Sequence, residues 1–439
     1  MTGNAGALLS HSRRFAAPAQ LSRYGRITSR RNFCLLLKRR ECNFLKFFAK
    51  RLRRKEQNFG AIGVVKKCAV VVFNFIMLSI RRILHLAPFN TSGVPITLVR
   101  AEKELGFDSR LITLGRDPRG YEEDLCLDLP FLDFAGTRWA KRIFSDPARL
   151  QVTNRHKIPT QTPPTWVPHS AAEKWLVKFR ESSWQKKISW AIAKVDFWNF
   201  DLYQLDGGLE FYRDGRLVRE LNKRGKSIIC LYTGSDLRTR GVIPEIDRLA
   251  NLNVTLEFDH LALHPRLQHV FFPLDLQRFT LSLPRQESRL VIGHAPTNRV
   301  AKGSDTIIAV VQNLAKDFPI DFVLIEGLPY PEALRRKAGC DIFIDQLGDL
   351  GYGINAIEAL AMGICTCTSL EAGFAKKYPE HPFVEVNAAN LREQLLRLLH
   401  LPLERQRLRD YGRAWVEKMH EARQVVQRIH ELLCAGRMA

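Results

Sequence analysis

The sequence predicts an α/β protein made of two doubly wound halves, each a parallel sheet covered by helices, that face each other across a cleft. Short apolar segments of strand length recur throughout 83–434, and most are followed by a polar or glycine-containing loop and a helical pattern. The alternation starts again after a polar connection at 273–288. A chain of 439 residues also exceeds the size of one hydrophobic core. These three observations predict two domains.

The individual elements follow from the same pattern. In the first half we predict strands at 83–87, 110–114, 200–205, 227–232, 253–258 and 269–272, with helices at 94–105 and from about 209. In the second half we predict strands at 290–294, 321–326, 341–345, 364–368 and 383–386, with helices at 303–316, 331–339, 353–362, 403–418 and 421–434. Ligands of such sheets bind at the carboxyl ends of the strands.

Residues 1–80 form a basic leader that does not resemble a domain. They contain 17 Lys and Arg against two acidic residues, whereas the rest of the chain has 50 against 43 and is only mildly basic. Three interpretations stay open: an organelle transit peptide, a membrane-surface anchor around the apolar run 68–80, or a segment absent from a mature protein that begins at Met77. We expect domains at 81–283 and 284–420, and a C-terminal helix at 421–439 that packs back on the first.

Two further features bear on the compartment. The nine cysteines are scattered and show no zinc-like spacing, so we predict reduced thiols and a cytoplasmic protein. A helical, partly basic stretch at 171–193 carries Trp175, Trp184 and Trp190. Such a helix either lies on a membrane surface, at the inner face in this case, or supplies ordinary core and rim residues. Both interpretations stay open.

The most informative stretch is 341–363, which reads as a buried strand, a Gly351-Tyr352-Gly353 turn and a helix. A helix N-terminus behind a glycine-rich turn offers backbone N–H groups and a positive dipole end to a phosphate. Glu358 lies beside the apolar stripe of that helix, where a carboxylate needs partners. It either accepts hydrogen bonds from ribose hydroxyls or pairs with a neighbouring Lys or Arg.

Two cations follow the first strand of the second half. Arg299 and Lys302 lie three residues apart in the polar loop 294–303. In a parallel sheet this loop and the glycine turn emerge at one edge, so both cations and the helix N-terminus are expected to converge on one diphosphate. We find no Asp-x-Asp pair that would hold a divalent cation, and predict no metal or other cofactor.

These motifs resemble those of the retaining glycosyltransferases of the GT-B architecture, in particular the glycogen-synthase-like group that uses nucleotide sugars. The resemblance covers about 83–434 and rests on NRVAKG at 298–303, IEG at 325–327, GCDIFIDQ at 339–346 and GYGINAIEALAMG at 351–363. APFNTSGVP at 87–95 and TGSDLR at 233–238 are also similar to first-half segments of that family.

The resemblance implies a role for each matching residue. Arg299 and Lys302 are expected to neutralise the donor diphosphate, the helix start at Gly353 and Ile354 to contact phosphate, and Glu358 to hold the ribose. Leu350 stands where the first glutamate of the family's paired-glutamate motif contacts the transferred sugar. That departure leaves the identity of the sugar open.

Acceptor-side residues are expected across the cleft. Asn90, Gly93, Asp236 and Arg238 occupy loops at strand carboxyl ends of the first half. Asp206 is either an acceptor-side base or a cap of the helix that follows it. Arg238 either binds an acidic acceptor group or pairs with Asp236.

The predicted function is therefore metal-independent transfer of a sugar from a nucleotide-diphosphate donor to a saccharide or lipid-linked acceptor, with retention implied by the resemblance, in cell-surface polysaccharide or glycolipid synthesis. Partners are the nucleotide sugar, the acceptor and a peripheral membrane surface. A non-catalytic nucleotide-sugar-binding protein is the alternative, motivated by Leu350. Nucleic-acid binding through the leader is the third hypothesis, but the mildly basic body predicts no nucleic-acid partner.

Overall fold

The structure, a computed structural model, describes residues 80–132, 162–168, 170–234, 236–282, 289–348 and 351–436. All of them belong to one compact unit, Val71–Ala439. The predictions for the basic leader therefore fall, apart from Ile80, outside the described residues.

The first half contains a seven-stranded sheet in the order β3-β2-β1-β4-β5-β6-β7, and every neighbouring pair is parallel. Its strands are β1 (Arg82–Ala87), β2 (Asp108–Thr113), β3 (Leu125–Cys126), β4 (Leu202–Asp206), β5 (Ser227–Tyr232), β6 (Leu252–Thr255) and β7 (Leu267–His269). The predicted doubly wound sheet is confirmed. The sequence does not predict β3, because two residues are too few to show a period.

The first-half helices are α1 (Val94–Glu104), α2 (Ala171–Lys194), α3 (Arg216–Lys223) and α4 (Pro244–Leu249). The helix predicted from about 209 is wrong at its start, since α3 begins only at Arg216. Three loop glycines with positive φ precede it: Gly207, Gly208 and Gly215. The Glu210 carboxylate then accepts the N–H groups of Leu217 and Val218, which lie in the first turn of α3.

The second half contains a five-stranded sheet in the order β12-β11-β10-β8-β9, again parallel throughout. Its strands are β8 (Leu290–His294), β9 (Ile320–Leu324), β10 (Ile342–Ile344), β11 (Cys365–Thr368) and β12 (Val384–Glu385). Its helices are α5 (Arg299–Lys302), α6 (Ser304–Leu314), α7 (Tyr330–Ala338), α8 (Ile354–Ala361), α9 (Ala372–Lys377), α10 (Leu391–His400) and α11 (Pro402–Met419). The sequence predicts these elements except α5, α9 and α10.

The chain ends in α12 (Ala422–Gly436), which returns to the first half and packs on α1. His430 of α12 approaches Glu102 of α1, with 3.9 Å between Nε2 and Oε1. The two crossings between the halves run side by side, since the N–H of Leu274 donates to the carbonyl of His420 at 2.7 Å. The halves are therefore connected by two chain segments that are hydrogen-bonded to each other, rather than by one linker.

Aromatic contacts join the carboxyl edges of the two sheets. Phe258, which follows β6, lies edge-to-face on Phe374, which follows β11, with 5.5 Å between ring centroids. Tyr121, which follows β2, contacts Tyr330 at the start of α7 with 4.8 Å between centroids. All four residues follow the carboxyl ends of strands, so the ligand-binding edges of the two sheets face a common cleft.

The cysteines of the described residues are all free thiols, and all but Cys126 are buried. Burial raises the pKa of the Cys230 and Cys365 thiols to about 12, which keeps them protonated and unreactive. None of the helices in the described part of the chain combines the length and the apolarity needed to cross a bilayer.

Candidate functional site

The helix α5 places the two predicted cations at the carboxyl edge of the second sheet. It follows β8, and the Asn298 side chain caps it by accepting the N–H of Ala301 at 3.2 Å. Arg299 turns toward the loop after β9, where its Nε donates to Glu326 Oε1 at 2.8 Å. The Arg299 side chain remains 49% exposed, and hydrogen bonding to Glu326 raises its pKa.

Lys302 turns in the other direction, toward the loop after β10. Its Nζ donates to Asp345 Oδ1 at 2.7 Å, and Asp345 Oδ2 accepts the N–H of Gly353 at 3.0 Å. A Cβ added to Gly353 would lie 3.5 Å from Lys302 Nζ. Lys302 and the N-terminus of α8 therefore meet, as predicted, and a buried carboxylate already bridges them. Arg299 does not share that bridge, because Glu326 holds it on the other side of β8.

The start of α8 keeps donors to spare. The N–H groups of Ile354 and Asn355 open the helix, where the helix itself offers them no acceptor. Gly353 has an extended backbone that any residue adopts, so its lack of a side chain matters for access to Lys302 rather than for strain. Gly351, with a φ of 90°, is the residue of this turn that requires glycine.

Glu358 lies buried on the core side of α8, at 2% exposure. Its Oε1 accepts the Tyr330 hydroxyl at 2.8 Å, and its Oε2 accepts a hydrogen bond from Lys337 Nζ. Lys337 also donates to Asn355 Oδ1 at 2.7 Å. Of the two sequence interpretations, pairing with a neighbouring Lys is therefore observed. Each carboxylate oxygen has a second lone pair, so the pairing leaves acceptor capacity for a ribose hydroxyl.

Tyr330 connects this group to the first half. Its hydroxyl bonds Glu358 while its ring contacts Tyr121 across the cleft. Burial and the nearby Glu358 charge raise the pKa of Tyr121 to about 12, and the same two causes raise that of Tyr330. Both phenols are therefore neutral donors at physiological pH.

Asp206 ends β4 at the carboxyl edge of the first sheet. It is 7% exposed, its Oδ1 accepts Gln204 Nε2 at 3.3 Å, and its Oδ2 is buried without a hydrogen-bond partner. Burial raises its pKa to about 7, against the opposing charge of His85. The alternative that Asp206 caps the following helix is wrong, because Glu210 accepts the N–H groups at the start of α3.

His85, which the sequence reasoning did not single out, lies beneath Asp206 on the neighbouring strand β1. Its Nε2 is 2.8 Å from Glu102 Oε2, and its Nδ1 is buried without a partner. Burial lowers the pKa of His85, but the Glu102 carboxylate more than offsets it, so the pKa is raised and the pair is ionic. A histidine inside the apolar segment RILHLA was the available signal.

Asn90 and Gly93 shape the loop after β1. Asn90 is fully buried, donates from Nδ2 to the Glu122 carbonyl at 2.6 Å and accepts the N–H of Ile96. Gly93 has a φ of 67°, and a Cβ there would lie 3.1 Å from the Tyr121 ring. Both residues position the loop and Tyr121, and the side-chain amide of Asn90 makes its hydrogen bonds within the protein.

Asp236 and Arg238 do not pair, so that alternative is wrong. Asp236 Oδ2 accepts the N–H of Thr233 at 3.0 Å. Arg238 instead forms a bidentate pair with Asp259, with 2.8 Å from Nε to Oδ2, and also contacts Glu257 and the carbonyl of Gly234. Asp259 is the main partner, because it accepts two of these hydrogen bonds and Glu257 accepts one. Burial raises the pKa of Glu257 despite the Arg238 charge. Arg238 is 7% exposed, and internal partners use four of its five N–H donors, so it has little left to offer an acceptor.

Two predictions concern other features. Leu350 lies outside the described residues. Among the residues that the structure describes, no group of three or more His, Cys, Asp and Glu side chains could hold a metal ion.

The chain matches no family model and no curated protein. It is similar to solved structures, among them a sucrose-phosphate synthase from Thermosynechococcus elongatus (14% identity, 80% of this chain and 98% of that chain, TM-score 0.52). Others are HepE from Anabaena in complex with UDP (11%, 81% and 100%, 0.47) and a glycosyltransferase from Rickettsia africae (12%, 82% and 99%, 0.47). Two Rossmann-like domains around a cleft, in this topology, are the GT-B fold, and this chain has that fold.

Proposed function

We propose that this protein transfers a glycosyl group from a nucleotide-diphosphate sugar to a saccharide or lipid-linked acceptor. The observation that carries the proposal is the junction of Lys302 with the N-terminus of α8. A side-chain ammonium and backbone N–H groups meet there at the carboxyl edge of a parallel sheet, bridged by Asp345. An ammonium beside a helix N-terminus is the chemistry that binds phosphate.

The proposal gives the other predicted donor-side residues roles around a diphosphate at this junction. Arg299, on the same short helix as Lys302, has a bidentate guanidinium that is half exposed and can reach an anion by releasing Glu326. Glu358, which accepts hydrogen bonds from Tyr330 and Lys337, is the proposed ribose contact. The diphosphate would exchange for Asp345 as a partner of Lys302, since both are anions with oxygen acceptors.

In the transfer step the bond from the sugar's anomeric carbon to the diphosphate breaks, and a bond from that carbon to an acceptor oxygen forms. Negative charge develops on the departing diphosphate, where Lys302, Arg299 and the α8 N-terminus stabilise it. The acceptor hydroxyl loses its proton to Asp206, the proposed base on the opposite edge. A carboxylate whose burial raises its pKa to about 7 is matched to that task near neutral pH.

Calorimetry of the full chain with a panel of UDP, GDP, ADP and dTDP tests the binding step. We expect one nucleoside diphosphate to bind, and Lys302→Ala to weaken it about 10- to 100-fold, the range for loss of a charged hydrogen bond. Arg299→Ala is expected to act in the same direction. Arg289→Ala is the matched control, because Arg289 is 50% exposed and pairs with Asp321 at 2.8 Å, but lies at the amino end of β8.

A transfer and hydrolysis assay with the corresponding nucleotide sugars tests catalysis. The proposed activity fails if no nucleoside diphosphate binds, or if both variants bind and turn over like the wild type. Binding without product across a panel of donors would instead favour the non-catalytic alternative that Leu350 motivates. Asp206→Asn is expected to retain nucleotide binding and lose turnover, which separates the acceptor edge from the donor edge.

A further inference from the structure

Helix α2 exposes a set of large aromatic side chains to solvent. Trp175 is 64% exposed, Phe179 55% and Trp190 51%, and Leu176 adds a further exposed apolar side chain. The rings of Trp175 and Phe179 stack on each other, with centroids 5.7 Å apart and planes 15° apart. Side chains of this size are seldom exposed together on one element without a binding role. We call these four residues the aromatic face of α2.

The aromatic face is distinct from the side of α2 that packs on the core. At 100° per residue, positions 175, 179 and 190 lie within about 60° of one another around the helix and span about 22 Å along it. The opposite side buries Trp184, Ile188 and Ala191. Trp184 is therefore a core residue, as one of the two sequence interpretations expects, whereas Trp175 and Trp190 lie outside the core.

Charge distinguishes the kind of partner that this face fits. Lys174, Lys178 and Lys186 are exposed on α2, and Lys194 lies over the Trp190 ring with 4.5 Å to its centroid. The helix has two acidic residues, and one of them, Glu181, is buried. Lysine is depleted in protein–protein interfaces. Tryptophan beside lysine is instead the combination of a membrane interface, where rings enter the headgroup region and ammonium groups meet anionic lipid.

We propose that the aromatic face of α2 docks on an anionic membrane surface. The orientation that follows suits a lipid-linked acceptor. Glu181 accepts the N–H of Arg213 at 2.7 Å, and Arg213 lies in the loop after β4. The half of α2 that carries Trp175 and Phe179 thus lies beside the loop that follows β4, at the carboxyl edge of the first sheet. Only the suitability for a lipid-linked acceptor rests on the proposed function; membrane docking is independent of it.

Co-sedimentation of the full chain with phosphatidylcholine vesicles, with and without phosphatidylglycerol, tests the proposal. We expect binding to the anionic vesicles, lowered about tenfold or more by Trp175→Ala/Phe179→Ala and by Lys174→Glu/Lys178→Glu/Lys186→Glu. Leu401→Ala/Leu403→Ala is the matched apolar control, since both leucines are exposed at the start of α11. Lys223→Glu/Lys316→Glu/Lys418→Glu is the charge control, and both controls should bind like the wild type.

The same variants distinguish other occupants of the face. If the basic leader alone carries membrane binding, Trp175→Ala/Phe179→Ala will bind anionic vesicles normally, and the proposal is overturned. If a second copy covers the face, sedimentation velocity without vesicles will show an oligomer that the aromatic variant dissociates. If another segment of this chain covers it, that variant will melt several degrees lower while vesicle binding is unchanged. Either result, with normal vesicle binding, also overturns the proposal.

Discussion

An arginine lies at the carboxyl edge of each sheet, and the two arginines differ in their hydrogen-bond partners and in their exposure to solvent. In the second half, Arg299 contacts one carboxylate through Nε and Nη2 and is half exposed. In the first half, Arg238 makes four hydrogen bonds to three acceptor groups and is 7% exposed. A guanidinium has five N–H donors. Arg299 therefore keeps donors for a ligand, whereas Arg238 has one left and little access to solvent.

This difference shows that a place at a strand's carboxyl end does not by itself make a binding residue. Asn90 and Arg238 occupy such places and serve the scaffold, because internal partners use their polar atoms. Asp206 is the contrary case in the same half, with one carboxylate oxygen buried and unpartnered. What is available to a ligand depends on how many donors or acceptors remain after the internal hydrogen bonds are counted.

The largest expected effect is a loss of stability when the buried Arg238 of the first half is replaced. Arg238→Ala leaves the carboxylates of Asp259 and Glu257 buried without their cation, which is expected to cost about 3–5 kcal/mol of unfolding free energy. Arg299→Ala is the matched variant in the second half, and we expect no measurable change in stability because that side chain is solvated. Chemical denaturation of both variants checks this. Equal destabilisation of the two would contradict the contrast between the edges.

The next effect concerns the buried pair of the second half. Lys337→Met leaves Glu358 uncompensated at 2% exposure, and we expect a loss of about 3–5 kcal/mol. Lys337→Met/Glu358→Leu removes both charges and should recover most of that loss, because two apolar groups of similar size replace the pair. Denaturation curves with a double-mutant cycle measure the coupling.

Nucleotide binding by the double variant then separates scaffold from ligand contact. If Glu358 holds the ribose, the double variant folds but binds the nucleoside diphosphate at least tenfold more weakly, the loss that about 1.4 kcal/mol corresponds to. Wild-type affinity in the double variant would assign Glu358 to the scaffold alone. The control is Arg289→Ala, which leaves both the pair and the site intact.

The fold was largely predictable, because most elements of both sheets carry a clear strand or helix period between glycine-containing loops, as in Ser227–Tyr232. The position of Lys302 beside Gly353 followed from topology, since adjacent parallel strands end at one edge. The topology did not predict that Asp345 would be the partner of Lys302. It also did not predict the pairs Lys337–Glu358 and Arg238–Asp259. These depend on side-chain directions fixed only by packing, over separations of 21 residues or more.

The smallest expected effect tests Asp206 through the pH dependence of stability. Its pKa is raised by burial from 3.8 to about 7, so the folded protein binds this proton more tightly than the unfolded chain. The contribution of Asp206 to stability is therefore full below about pH 4 and is lost as pH rises to about 7. Asp206→Asn removes that pH-dependent loss. We expect the unfolding free energy of the variant to exceed that of the wild type by about 1–2 kcal/mol at pH 8. We expect no such gain at pH 4, because the buried amide, like the protonated carboxyl group, lacks a hydrogen-bond partner.

Urea denaturation of both proteins at pH 4, 6 and 8 measures the difference. A slope will remain in the variant, because burial also raises the pKa of Glu210 to about 8. The groups around Asp206 are Gln204, His85, Asp236 and Glu102. Because the His85 charge lowers the pKa of Asp206, His85→Gln should raise that pKa further and steepen the loss of stability with rising pH, whereas Asp206→Asn abolishes this contribution. A stability difference that is the same at all three pH values would show that Asp206 is ionised throughout, and would remove the physical basis for Asp206 as a base near neutral pH.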